Sequence, residues 1–205
     1  MCGRFALFRW DSEFSSLPGF PHDQQPHWSL APGASVLLLR REQEQLHLSR
    51  ARWGLTPAWF SDFTRTPAQA RAETLAEQPM FREAFRQRRG LLPANGFYEW
   101  RGSARKRPYW MTAEGSLTYF AAIWETYPVE GHCYLSVAVV TRPAANQRRP
   151  LMLDEAGQAA WLDPETSLDE LQALLSQPQP TLRERPLATL VNDPALDGPQ
   201  CLTPA

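Results

Sequence analysis

Cysteine stands at position 2 of the chain, in Met1-Cys2-Gly3-Arg4-Phe5. With Met1 attached it is an ordinary thiol. The small side chain behind Met1 suits removal of the initiator, and Cys2 then carries a free α-amine and a thiol on adjacent carbons. Such a pair can condense with an aldehyde. The amine forms an imine, and the thiol closes on the same carbon to give a five-membered ring. The α-amino group titrates near pH 8, so a share of it is neutral and nucleophilic at about pH 7. Gly3 lets backbone and ligand approach closely, and Arg4 offers a fixed charge and a planar fork of donors suited to phosphate. The same five residues also read as the unreactive start of a strand, so the rest of the chain must decide.

The elements that would hold this terminus are mostly strands. Asp11 and Ser12 can cap a short helix that stops at Pro18, and residues 18–33, rich in proline, form an extended loop. Residues 35–40 and 46–52 read as a hairpin with a polar turn at 41–45. In Trp53-Gly54-Leu55-Thr56-Pro57-Ala58-Trp59-Phe60 the glycine and the proline forbid a regular element, which leaves Trp59 and Phe60 on a loop. A helix is expected over 79–88, with Phe81 and Phe85 one turn apart on its buried face and Arg82, Arg86 and Arg89 on others.

Residues 97–101 form a strand on which Tyr98 and Trp100 share one face and Phe97, Glu99 and Arg101 the other. If Tyr98 and Trp100 enter the core, Glu99 faces a cleft. Residues 108–112, 118–124 and 133–141 are further strands, and 142–150 is a loop carrying Asn146-Gln147-Arg148-Arg149-Pro150. Asp154 caps a helix running to Leu162, Ser167 and Glu170 make a capping box for a helix over 168–176, and 186–191 reads as a last strand. Many strands, few helices and no βαβ rhythm predict one α+β domain, 1–205, with a mainly antiparallel sheet.

A chain of 205 residues with 43% hydrophobic residues and 8 Trp can bury a core and is not disordered. No apolar run is long enough to span a membrane and no signal peptide is seen, so a cytoplasmic protein is expected. Cys2, Cys133 and Cys201 make no CxxC pair, which fits a reducing compartment. His22, His27, His47 and His132 lack metal-ligand spacing, and neither metal nor cofactor is expected.

The net charge of −1 conceals an uneven distribution. Residues 1–153 hold 19 Lys and Arg against 13 Asp and Glu, while residues 154–205 hold 2 against 9. All the basic residues but Lys106 are arginine, the residue favoured for planar phosphate contacts.

Taken in order, Met-Cys-Gly-Arg-Phe, Ala31-Pro32-Gly33, the Trp-Gly-x-x-Pro-x-Trp loop, Ala70-Arg71-Ala72-Glu73-Thr74, Gly96-Phe97-Tyr98-Glu99-Trp100 and the Arg148-Arg149-Pro150 turn resemble the SRAP (SOS response-associated peptidase) family, the abasic-site shield proteins. The resemblance runs from Cys2 to Val191-Asn192. It implies a compact α+β barrel-like core with a positive groove. It also implies a monomer that recognises abasic sites in single-stranded DNA and forms a thiazolidine crosslink with the ring-opened sugar in the DNA damage response. On this resemblance Cys2 is the nucleophile, and Glu99 moves protons as a partly desolvated carboxyl of raised pKa. Arg4, Arg71, Arg148 and Arg149 bind backbone phosphates, and Trp59 and Phe60 form a wedge that stacks on bases. Gln69 stands where the family usually has asparagine, Asn146 where it usually has histidine, and Ser29 where it usually has asparagine. Asparagine cannot exchange a full proton near neutral pH, so sugar ring opening and crosslink reversal should be slower in this divergent member.

Other readings stay open on the residues alone. Glu99 can pair with Arg101 or another arginine, and Trp59 and Phe60 can pack in the core. The chain can be a non-catalytic single-stranded DNA binder. A cysteine peptidase needs a base beside the thiol, and no histidine sits in a motif that supplies one.

Overall fold

The computed structural model describes residues 3–60, 62, 64, 66–103, 105–145 and 147–205. The strands are β1 (Phe5–Leu7), β2 (His27–Leu30), β3 (Ser35–Glu42), β4 (Gln45–Trp53), β5 (Gln69–Arg71), β6 (Arg89–Ala94), β7 (Gly96–Arg101), β8 (Arg107–Thr112), β9 (Thr118–Val129), β10 (His132–Ala144), β11 (Gln147–Pro150) and β12 (Arg183–Pro186). The helices are α1 (Ser12–Ser15), α2 (Arg82–Gln87), α3 (Glu155–Leu162) and α4 (Leu168–Leu175). The fold is α+β.

Strands β4, β3, β6, β9 and β10 pair in that order, and β10 closes the ring back onto β4. The closing pair is parallel, with Ser136 opposite Arg52 and Val137 opposite Trp53; the other seams are antiparallel. Closure leaves this barrel without an open edge. Trp53 lies fully buried inside, and its indole N–H donates to the Ala68 carbonyl at 2.8 Å. The ring of Phe5 sits 5.0 Å from that of Trp53 and 5.8 Å from that of Phe120, so β1 seals one end of the core.

A second sheet, in the order β12-β8-β7-β1-β2, lies across this end. Its central strands are buried on both faces. Phe97 and Met111 join the barrel core, while Tyr98 and Trp110 join a smaller cluster with Leu187, Val191 and Cys201 of the C-terminal segment. The expected sorting of Tyr98 away from Phe97 and Glu99 is therefore present, but each face meets a different core.

Asn95 sits where the chain passes from the barrel (β6) to the second sheet (β7). Its Oδ1 accepts from the Phe8 and Arg9 amides at 2.7 and 3.0 Å, and its Nδ2 donates to the Arg9 and Ser116 carbonyls at 2.8 and 2.7 Å. One buried amide thus satisfies four backbone groups that the change of sheet leaves unpaired.

Four expectations need correction. The loop expected over 18–33 contains strand β2, His27–Leu30, which pairs with β1. The helix over 79–88 is only α2, because Arg89 begins β6 and is buried. Its guanidinium donates to the carbonyls of Phe85 at 3.1 Å, Trp161 at 2.7 Å and Asp163 at 2.6 Å, and also to that of Arg86, tying together the C-terminal ends of α2 and α3. Helix C-termini present unpaired carbonyls and partial negative charge, which a cation satisfies. The expected strand over 186–191 is instead β12 followed by a 3₁₀ turn, Thr189–Asn192. β12 is an exposed edge strand of charged residues, Arg183-Glu184-Arg185-Pro186, with no apolar alternation to mark it. The 142–150 loop is strand for most of its length, as the end of β10 and β11.

Replacement of Asn95 by alanine leaves backbone groups of two loops without this partner. It should cost about 2–4 kcal/mol, read as a lower urea midpoint with an unchanged slope.

Candidate active site

The groove forms where the N-terminus meets the far end of β7. β1 runs antiparallel to β7 with Phe5 opposite Phe97, and the Tyr98 amide donates to the Arg4 carbonyl at 3.0 Å. That register carries Gly3 alongside Glu99. Gly3, Glu99, Arg101, Gln147, Arg149 and Glu184 all line one groove of about 1090 Å³.

Glu99 is 1% exposed. Its carboxylate accepts from Arg149 Nε at 2.6 Å and Nη2 at 3.2 Å, and from Arg101 Nε at 3.0 Å and Nη2 at 2.6 Å. Arg101 bridges onward to Glu184, through Nη1 at 2.7 Å and Nη2 at 2.9 Å, and lies 4.9 Å over the Tyr109 ring. Glu184 is also 3.6 Å from Arg149. Two carboxylates and two guanidiniums thus form a closed, mutually compensated cluster. Burial pushes the Glu99 carboxyl up, but the hydrogen bonds from Arg149 and Arg101 outweigh it and hold the group below its ordinary value. The raised pKa expected for Glu99 is therefore corrected: the structure gives an ionised carboxylate.

The successive residues Arg148 and Arg149 diverge because strand side chains alternate. Arg149 reaches Glu99. Arg148 forks onto Glu73 at 2.8 and 2.6 Å and donates to the Thr141 carbonyl at 2.7 Å. Arg4 lies 5.1 Å over the Trp100 ring and donates to the Val191 carbonyl. The Trp100 indole in turn donates to Asn192 Oδ1 at 2.7 Å, so the C-terminal 3₁₀ turn fixes both side chains. Of the arginines proposed for phosphate, only Arg71 is exposed, at the end of β5 opposite Thr141.

Trp59 is 66% exposed and meets the half-buried Phe60 edge-on at 5.8 Å, so this pair is not core packing. Gln69 opens β5, opposite Val139. Cys2 and Asn146 lie outside the described residues. Among the described residues no cluster of three or more His, Cys, Asp or Glu could hold a metal, and no helix is long and apolar enough to cross a membrane.

The contribution of Glu184 was not legible beforehand. It lies in the acidic C-terminal region, and nothing local marks it as the partner of Arg101. Glu73 sits within the recognised Ala-Arg-x-Glu-Thr segment, but its pairing with Arg148 is a product of β10, which pairs with both β5 and β11 at Thr141.

Fold and site together define a small α+β barrel protein whose N-terminal strand ends beside a buried carboxylate ringed by arginines. The chain belongs to the SOS response associated peptidase (SRAP) family, whose profile matches residues 1–194. It is 32% identical over 225 residues to the abasic site processing protein YoqW of Bacillus subtilis, covering 98% of this chain and 99% of the relative. It is 32% identical to the abasic site processing protein YedK of Escherichia coli, with 82% of each chain covered. A crystal structure of a Bacteroides thetaiotaomicron protein shares the fold, with a TM-score of 0.87 at 19% identity over 100% of both chains.

A carboxylate held below its ordinary pKa stabilises the fold fully above its unfolded value and loses that contribution as pH falls through the folded one. Glu99→Gln should therefore cost about 2–3 kcal/mol at neutral pH. The difference between variant and parent in urea denaturation should shrink as pH falls below 4.5, the ordinary glutamate value.

Proposed function

We propose that the chain recognises abasic sites in single-stranded DNA and, once Met1 is removed, joins itself to the ring-opened sugar through Cys2. The observation that carries this reading is the position of Gly3 in the same groove as Glu99. Cys2 is joined directly to Gly3 in the chain. The family membership and the names of the Bacillus and Escherichia relatives support the same substrate.

The chemistry balances without an added reagent. The Cys2 amine attacks the aldehyde carbon of the open sugar, and the carbinolamine takes up a proton and loses water to give an iminium ion. The thiol then adds to that carbon and gives up its proton, closing a thiazolidine. Amine, aldehyde and thiol become one ring plus one water, with no change in oxidation state.

Glu99, being ionised, serves as the proton acceptor of the ring closure and as the counter-charge to the iminium. Arg101 and Arg149 hold its two oxygens in place. Gln69 and Asn146 supply neutral hydrogen-bonding groups to the amine and the sugar. Asn146 cannot act as the acid that a histidine provides, which slows ring opening and reversal. Trp59 and Phe60 stack on bases beside the gap, and Arg4, Arg71, Arg148 and Arg149 meet the backbone. For Arg148 and Arg149 a phosphate must compete with the carboxylates they already hold. The protein acts as a cytoplasmic monomer and shields the lesion in the SOS response.

Incubation of processed protein with a single-stranded oligonucleotide carrying one abasic site should give a shifted band on a denaturing gel. The band should be absent with Cys2→Ala or with intact DNA, and should form about 100-fold more slowly with Glu99→Gln. No covalent band, with binding retained by fluorescence anisotropy, would replace this reading with that of a non-covalent single-stranded DNA binder.

A further inference from the structure

The cations nearest the groove fall into two groups. Arg101, Arg148 and Arg149 already hold carboxylates, and Arg4 lies on Trp100 and the Val191 carbonyl. The turn between β7 and β8 differs. It carries Arg105, Lys106 and Arg107, all exposed, and among the described residues none of the three makes an ion pair. Lys106 lines the groove that holds Glu99, and Arg107 stands directly opposite Arg101 in the hairpin register. This stretch is the densest basic run in the chain.

The turn also has a defined shape. Gly102 has φ +119°, and a Cβ there would lie 2.7 Å from the Arg105 carbonyl oxygen. Glycine thus permits this close approach of backbone to backbone, and Lys106 lines the groove directly.

We propose that this hairpin tip is the principal phosphate-binding element for the strand flanking the lesion, with Arg105, Lys106 and Arg107 gripping consecutive phosphodiesters. This inference rests on the single-stranded DNA reading above. A phosphate that approaches Arg148 or Arg149 must displace a carboxylate, so little net charge neutralisation is gained. At residues 105–107 it displaces only water, and the counterions released from the DNA appear directly as affinity. The tip contacts no base edge and adds no preference for sequence. It instead fixes where the strand enters the groove.

The test is anisotropy titration of a fluorescent, undamaged single-stranded oligonucleotide over a series of salt concentrations. The variants are the triple glutamine (Arg105→Gln, Lys106→Gln, Arg107→Gln) and a charge-preserving triple (Arg105→Lys, Lys106→Arg, Arg107→Lys). The glutamine variant should bind more weakly at low salt, and the slope of log K against log salt should fall in magnitude by about 2, or roughly 0.7 for each lost charge. The charge-preserving variant should keep the parental slope. Matched urea midpoints exclude a folding defect. An unchanged slope in the glutamine variant, with the parent binding normally, would overturn this inference and leave the crosslinking reading intact. Failure of the parent itself to bind single-stranded DNA would overturn both.

Discussion

A carboxylate at the end of β7 is taken almost wholly out of water, and it stays charged because Arg101 and Arg149 together give it four hydrogen bonds. Desolvation alone would favour the protonated acid, and an unpaired arginine in the same place would be equally costly. Each charge is tolerable only in the presence of the others. The cluster therefore requires β7, β11 and β12 to be in register at one place, and it penalises any arrangement of the sheets that separates them. Glu184 extends the same logic. It accepts from Nη1 and Nη2 of Arg101, so the C-terminal segment, though acidic as a whole, is tied to the basic lobe by a specific fork of hydrogen bonds.

The two sheets meet so as to make this possible. The closed barrel supplies a rigid floor through Trp53, Phe120 and Phe5, and the second sheet lies over it with hydrophobic cover on both faces. Asn95 lets the chain leave one sheet and enter the other within a single residue. Because β7 is fixed in this way on both sides, its last residues project into the groove with little freedom. A preorganised charge of this kind needs no rearrangement when charge develops on a bound sugar, which is where electrostatic stabilisation is most effective.

Much of this was legible in the sequence where local chemistry was strong. The capping residues Asp154 and Ser167 start α3 and α4 as expected, with the Asp154 and Ser167 side chains accepting from the Gly157 and Glu170 amides. The β3–β4 hairpin and the alternation along β7 followed from apolar patterning. The glycine and proline around Trp59 correctly placed it on an exposed loop. What escaped was decided by tertiary contact. Arg89 reads as a helix-surface residue, yet four carbonyls at the ends of two helices draw it inside. β12 has no apolar periodicity because it is an edge strand, and its role depends on one carboxylate. The sign of the Glu99 shift depends on how many guanidiniums converge on it. A single sequence names the arginines but does not say which of them reach the same oxygen atoms.

The ionisation of Glu99 is the property on which the account turns, and it can be observed directly. Protein labelled with carbon-13 at the glutamate carboxyl carbons, with the Glu99 signal assigned by its absence in Glu99→Gln, would be titrated by NMR from neutral pH downward. This signal should stay at its carboxylate position to below pH 4.5, the ordinary glutamate value, and move only as the fold begins to fail. A midpoint above that value in folded protein would mean that burial outweighs the two arginines, and that Glu99 is a proton-donating acid and not the fixed charge described above.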